Sequence, residues 1–141
     1  MNIVIIGLGV IGGSFAMSLH RLGGHTVYGI DRDAGTIRKA VEAGLIAGGS
    51  CNAGDYLPLA DLTVLCLYPD AVRPFLEQYG DLVRAGSVIT DTTGVKQQIL
   101  CSAGDCFPAQ ADFILGHPMA GREKRGFDFA SAEVFDGANY I

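Results

Sequence analysis

Gly7-Leu8-Gly9-Val10-Ile11-Gly12 follows an apolar run, Ile3 to Ile6, and precedes a helix-like stretch, Ser14 to Leu22. Strand, tight turn and helix in that order are the setting in which G-x-G-x-x-G becomes informative. The first glycine makes the turn. The second lets backbone approach a pyrophosphate, and the third lets helix pack close on strand. Phosphates then meet unpaired N–H groups at a helix N-terminus, where the dipole favours anions. A second strand-like run, Thr26 to Ile30, ends at Asp31. An acid about 20 residues beyond such a loop is placed to hold a ribose 2′-hydroxyl. A carboxylate there repels a 2′-phosphate, which favours NAD over NADP. The adjacent Arg32 argues the other way, since a guanidinium welcomes a phosphate or stacks on adenine. Gly7, Gly9, Val10, Ile11, Gly12, Asp31 and Arg32 are the first candidate cofactor residues.

Strand and helix signals keep alternating beyond this unit, which predicts a doubly wound, mostly parallel α/β sheet of Rossmann type. Asp33–Ala43 reads as a helix capped by Asp33 and stopped at Gly44. Leu45–Cys51 holds at most a short strand. Leu62–Leu67 is continuously apolar, as a strand buried on both faces requires. Pro69–Tyr79 reads as a helix opened by Pro69 and Asp70. Ser87–Thr90 and Phe113–Leu115 read as strands, Val95–Ala103 as a helix, and Ala138–Ile141 as the opening of one more strand. A chain ending on Asn139-Tyr140-Ile141 stops as a strand begins, so residues 1–141 are expected to be one domain cut from a longer protein.

The 141 residues suit one domain with a real core. Hydrophobic residues make up 49% and charged ones 18%, which excludes a disordered chain. With a net charge of −5 and no cluster of Lys or Arg, nothing recruits nucleic acid. No apolar stretch approaches the roughly 18 residues of a membrane span, and no signal peptide precedes the glycine loop. Cys51, Cys66, Cys101 and Cys106 lack both C-x-x-C and metal-ligand spacing. They are expected to be reduced thiols of a cytoplasmic protein, with no metal site.

Gly116-His117-Pro118-Met119-Ala120-Gly121 follows the predicted strand Phe113–Leu115. A residue at the C-terminal edge of a parallel strand faces the crevice where open α/β sheets bind ligands. Histidine is the side chain best matched to proton transfer near neutral pH. Pro118 stiffens the backbone behind it. His117 is therefore either a catalytic group or a structural loop histidine. His20 and His25, near the end of the first helix and in the turn after it, read as structural or exposed.

The Gly7–Gly13 loop, Asp31, Thr90-Asp91-Thr92-Thr93-Gly94-Val95-Lys96, and Gly116–Gly121 followed by Glu123, Lys124 and Gly126 resemble the prephenate dehydrogenase family. That family includes arogenate and cyclohexadienyl dehydrogenases of tyrosine biosynthesis, and the likeness runs along the whole chain. The resemblance implies NAD-dependent oxidative decarboxylation of prephenate to 4-hydroxyphenylpyruvate, or of arogenate to tyrosine. Hydride leaves ring C4 for the nicotinamide, the C4 hydroxyl loses its proton, the carboxylate departs as CO2 and the ring becomes aromatic. It implies His117 as acceptor of the hydroxyl proton and Asp31 on the adenosine ribose. Leu67, Tyr68 and Pro69 would pass near the cofactor, with Thr92 and Thr93 beside the nicotinamide. It also implies a helical second domain that forms a homodimer and supplies a substrate-binding arginine. A chain without that domain is expected to bind NAD and turn over little substrate.

One position departs from the family pattern. Many members carry serine directly before the Val-Lys pair, hydrogen-bonded to the catalytic histidine or substrate, whereas this chain has Gly94. Thr93, one residue away, is the candidate substitute. Arg122 stands where a small polar residue is common; Arg122 and Glu123 either shape the pocket mouth or belong to a solvated turn. Asp91 either caps the next helix or contacts ligand, and Lys96 either touches an anion or is solvated. Tyr68 either stacks on the cofactor or packs. Two rival functions share the glycine loop: a β-hydroxyacid or imine-type dehydrogenase, which has no need of Gly116–Gly121, and a non-enzymatic NAD-sensing module with a structural His117.

Overall fold

The computed structural model describes every residue except Arg122. Six parallel strands form one sheet in the order β3-β2-β1-β4-β5-β6. The strands are β1 (Asn2–Ile6), β2 (Thr26–Ile30), β3 (Gly48–Ser50), β4 (Leu62–Leu65), β5 (Val88–Asp91) and β6 (Asp112–Ile114). Between them run α1 (Val10–Leu22), α2 (Ala34–Glu42), α3 (Pro69–Tyr79) and α4 (Lys96–Ala103). The order reverses direction between β1 and β4, and that switch point opens a crevice at the C-terminal edge of the sheet.

Side chains alternate across β1 and both faces are apolar. Ile3 and Ile5 pack with Ala16, Ile37 and Ala40 of α1 and α2. Val4 and Ile6 pack with Val72, Leu76 and Ile99 of α3 and α4. A strand covered on both faces needs a continuous hydrophobic run, which is why β1 and β4 were legible. Asp33 caps α2 by accepting the Gly35 and Thr36 amides at 2.9 and 3.2 Å. Gly44, with φ of +70°, ends the segment after α2 in the left-handed region. Among the described residues no helix is long and apolar enough to cross a membrane.

Two local expectations change. The first helix begins at Val10, inside the glycine motif, because the loop itself winds into the first turn. The strand expected at Ala138–Ile141 does not join the parallel sheet. It folds back antiparallel on the histidine segment, bridging Pro118 and Tyr140, with the His117 amide donating to Ile141 O at 2.7 Å. Between these partners, residues 127–136 make two short 3-10 turns that lie along α1. Gly13 is what lets them approach: a Cβ there would stand 2.8 Å from the Ala130 Cβ and 2.9 Å from the Phe127 ring. Ser14, the next residue, donates to Val10 O at 2.6 Å and accepts the Ser131 amide at 3.0 Å.

Candidate active site

Each glycine of the loop has its own geometric reason. Gly7 adopts φ of +91°, and a Cβ there would come within 2.6 Å of the Cys66 carbonyl oxygen. Its amide donates to Ile30 O at 2.7 Å, tying the turn to β2. A Cβ on Gly12 would fall inside the van der Waals envelope of the Gly7 carbonyl oxygen, so only glycine lets α1 start this close to the turn. Gly9 has nothing within 4 Å of where its Cβ would stand, and no side chain caps α1. The first-turn N–H groups therefore face open space, where an anion satisfies them.

Asp31 sits at the end of β2, half-buried, and its carboxylate grips the loop. Oδ2 accepts the Leu8 amide at 2.7 Å and Oδ1 accepts the Asp33 amide at 3.0 Å. Carboxylate oxygens have capacity for further donors, so this anchoring is compatible with a ribose hydroxyl. Arg32 is exposed beside it, its carbonyl within 3.8 Å of the Cys51 thiol.

The crevice at the switch point is a cleft of about 430 Å³. Gly9, Val10, Ile11 and Gly12 form one wall, and Leu67, Tyr68 and Pro69 another. Thr92, Thr93, Gly94 and His117 close its far end. The structure thus brings the glycine loop and His117, separated by over a hundred positions in the chain, into one cavity. Tyr68 is 68% exposed at the start of α3 and lines the cleft instead of packing in the core. Asp31 and Arg32 lie outside the cleft wall, and Asp31 reaches it through the Leu8 amide of the glycine loop. A second hollow, of about 320 Å³ at the opposite end of β2, gathers His20 and His25 but none of these residues.

His117 Nδ1 lies 3.1 Å from the Thr92 carbonyl oxygen. A carbonyl only accepts, so Nδ1 carries the proton and Nε2 of the neutral ring is left as an acceptor. Thr92 is held in turn: its amide and its hydroxyl each donate to Leu65 O at 3.1 Å. Thr93 is not beside the histidine nitrogen in the way its proximity in sequence suggested. Its buried hydroxyl donates to the Asp91 carboxylate, and Lys96 Nζ lies 3.4 Å from it. The group facing His117 is Gly94, where an added Cβ would stand 3.6 Å from Cε1 and 3.9 Å from Nε2.

Asp91 neither caps α4 nor faces the cleft. It is fully buried and accepts the Thr93 amide at 3.1 Å, the Thr93 hydroxyl, the Gly116 amide at 3.3 Å and Lys96 Nζ at 2.6 Å. Lys96 also donates to the Gly116 carbonyl oxygen, so its ammonium is engaged by two acceptors of the protein itself. This ion pair clamps the loop bearing Thr92 to the loop bearing His117. Tyr140 adds a third tie, its hydroxyl accepting from Thr90 Oγ1 at 2.8 Å and donating to Asp91 O at 3.1 Å. Tyr140 and the clamping role of Asp91 and Lys96 escaped the sequence reading. The one available signal was an acid ending a strand with a lysine five residues on.

Cys66 lines the cleft, and desolvation pushes its thiol up to about 12 despite a hydrogen bond with Thr92. It is a neutral spacer, not a nucleophile. All four cysteines are free thiols. Lys124 and Arg125, read as members of a solvated turn, also line the cleft. The expectation for Arg122 lies outside the described residues.

Residues 15–141 match the family "Prephenate dehydrogenase, nucleotide-binding domain". The chain belongs to the prephenate dehydrogenase family. The β-hydroxyacid and imine-type alternative gives way to that match. The prephenate dehydrogenase of Bacillus subtilis is 29% identical over 145 residues, covering 99% of this chain and 38% of the relative. The crystal structure of Synechocystis arogenate dehydrogenase superposes with a TM-score of 0.89 at 33% identity, covering 99% of this chain and 49% of that one. A. aeolicus prephenate dehydrogenase, in complex with hydroxyphenyl propionate and NAD+, gives a TM-score of 0.87 at 28% identity, with the same 99% and 49% coverage. The chain thus spans about half the length of the relatives whose structures it matches, and less of the curated ones. The family match begins after the glycine loop, so the fit of that loop rests on its own geometry.

Proposed function

We propose that this chain is the coenzyme-binding part of an NAD-dependent dehydrogenase that oxidatively decarboxylates prephenate or arogenate. The observation that carries the reading is His117, oriented by the Thr92 carbonyl with Nε2 left as acceptor in the same cleft as the glycine loop. NAD fits the residues present: Gly9 leaves an open approach to the first turn of α1, and Asp31 stands at the end of β2. Bound there, it supplies the hydride acceptor. The chain's own residues hold and orient. His117 Nε2 accepts the proton of the substrate's ring hydroxyl, while Nδ1 stays on Thr92 O and keeps the imidazole in the required tautomer. Asp91 and Lys96 hold both loops so that this geometry forms without reorganisation. Tyr68 and Pro69 cover the opposite wall. The substrate-binding arginine and the homodimer contacts are assigned to a helical domain outside residues 1–141.

Titration of the chain with both dinucleotides is expected to give tighter binding of NAD than of NADP; the reverse order makes Arg32 the deciding residue. Alone, the chain is expected to yield no prephenate-dependent NADH, and measurable turnover would refute the need for an outside arginine. In a two-domain enzyme carrying this sequence, His117→Asn is expected to lower kcat roughly 10²–10⁴-fold. A change of less than about threefold removes His117 from the chemistry.

A further inference from the structure

The glycine loop of an acidic protein with a net charge of −5 has to attract a ligand that is itself anionic. Helix N–H groups carry only partial charge. The cleft wall contains no carboxylate among the described residues, and its two full positive charges are Lys124 and Arg125. Neither forms a salt bridge among the described residues, although cations elsewhere on the surface, such as Arg21, Lys39 and Arg73, are each paired.

Position explains the difference. On one side of Lys124 and Arg125, Gly121 lies against α1, where an added Cβ would stand 3.9 Å from Ile11 Cδ1. On the other side the Phe127 ring lies against Gly13. Lys124 and Arg125 thus line the same cleft as the first turn of α1, where the open N–H groups are. Residues 127–136, a strap along α1, are pinned by contacts that do not involve the cleft: Lys39 to Asp128 at 2.8 Å, Arg21 to Asp136, Ser18 Oγ to Ala132 O at 3.0 Å, and the Phe15 and Phe135 rings 4.6 Å apart. Lys124 is steadied from the strap itself, its Nζ 4.8 Å above the Phe129 ring.

We propose that Lys124 and Arg125 are part of the coenzyme site and bind the dinucleotide's pyrophosphate from the side opposite the glycine loop. The inference rests on the coenzyme reading above and adds the full charges that the loop lacks. Gly13 and Ser14 then have a role of their own: they seat the strap that delivers those cations.

The test is titration of the whole chain with NAD at several salt concentrations, for the parent, Lys124→Ala/Arg125→Ala, and Arg84→Ala as a cation outside both the cleft and the strap, where it pairs with Asp61. Charge-assisted bonds of this kind correspond to about ten- to a hundredfold in Kd for the double variant. Its affinity should also depend less on salt than the parent's, with an unchanged melting temperature. Arg84→Ala should leave the affinity as it is. Equal Kd and equal salt dependence in parent and double variant overturn the inference while leaving the coenzyme reading intact. Unchanged NAD binding with weakened prephenate binding to the NAD complex assigns the cations to substrate carboxylates and also overturns it. Failure of the parent to bind NAD at all overturns the coenzyme reading, and this inference with it.

Discussion

The two walls of the cleft are built on different principles. The glycine loop, between β1 and α1, is a backbone device whose parts lie within six consecutive residues. Its shape depends on absent side chains: a positive φ at Gly7 and a close approach at Gly12. The histidine wall is a side-chain device. Its parts come from β5, α4, the segment after β6 and the last two residues, and they meet through a buried ion pair and an antiparallel bridge. A local device is robust to change elsewhere and intolerant at its own positions. An assembled one fails when any distant tie is cut.

The sharpest break should come at Gly12. Gly12→Ala drives a Cβ into the Gly7 carbonyl oxygen, so the loop must move. The expected cost exceeds the usual overpacking range, at more than about 3 kcal/mol in urea unfolding, with loss of NAD binding. Gly9→Ala is the matched control, because its Cβ meets nothing within 4 Å. Stability there should stay within about 0.5 kcal/mol while NAD affinity falls. Equal destabilisation by both would dissolve the distinction between packing and ligand approach.

On the other wall, Asp91→Ala removes four hydrogen-bonded partners at once. Breaking a buried pair costs about 3–5 kcal/mol. The Lys96 side chain is 27% exposed and can turn to water, so the low end, about 3 kcal/mol, is expected. Heteronuclear NMR should then show shifts at Thr92 and His117 but not at Gly7–Gly12. Shifts confined to β5 would mean the ion pair does not couple the two loops.

The smallest effect concerns Asp33, just outside the glycine-loop wall. The Thr36 hydroxyl and the Gly35 and Thr36 amides hold its carboxyl below the ordinary carboxylate range. A depressed folded-state value contributes stability above the unfolded value, near about 3.9, that is lost as pH falls through the folded one. Asn keeps the cap but does not titrate. The stability difference between the parent and Asp33→Asn should be flat from neutral pH down to about 5 and shrink below about 4. A difference that grows toward acid would reverse the sign.

Sheet, helices and glycine loop were legible because each rests on local periodicity or a short motif. The apolar runs at Ile3–Ile6 and Leu62–Leu65, the Asp33 cap and the Pro69 start all act within a few residues. Thr93 illustrates the limit. Proximity to Gly94 in the chain suggested a partner for His117, yet its hydroxyl turns into the core toward Asp91. A one-residue step after a strand reverses the side a residue faces, and the sequence carries no marker of which face is claimed by a buried charge. The strap over α1 was equally hidden, since its 3-10 turns have no long-range period to read.

What residues 1–141 determined by themselves was therefore the alternating α/β order, the switch-point architecture and a phosphate-binding turn, all consequences of short-range sterics and burial. Only tertiary structure decided that His117 shares a cleft with that turn, that Asp91 and Lys96 pair behind its wall, and that Lys124 and Arg125 line the same cleft. Those relations join residues far apart in the chain. They depend on how the sheet's edge, the strap and the returning C-terminal segment fill space together, which no single stretch encodes.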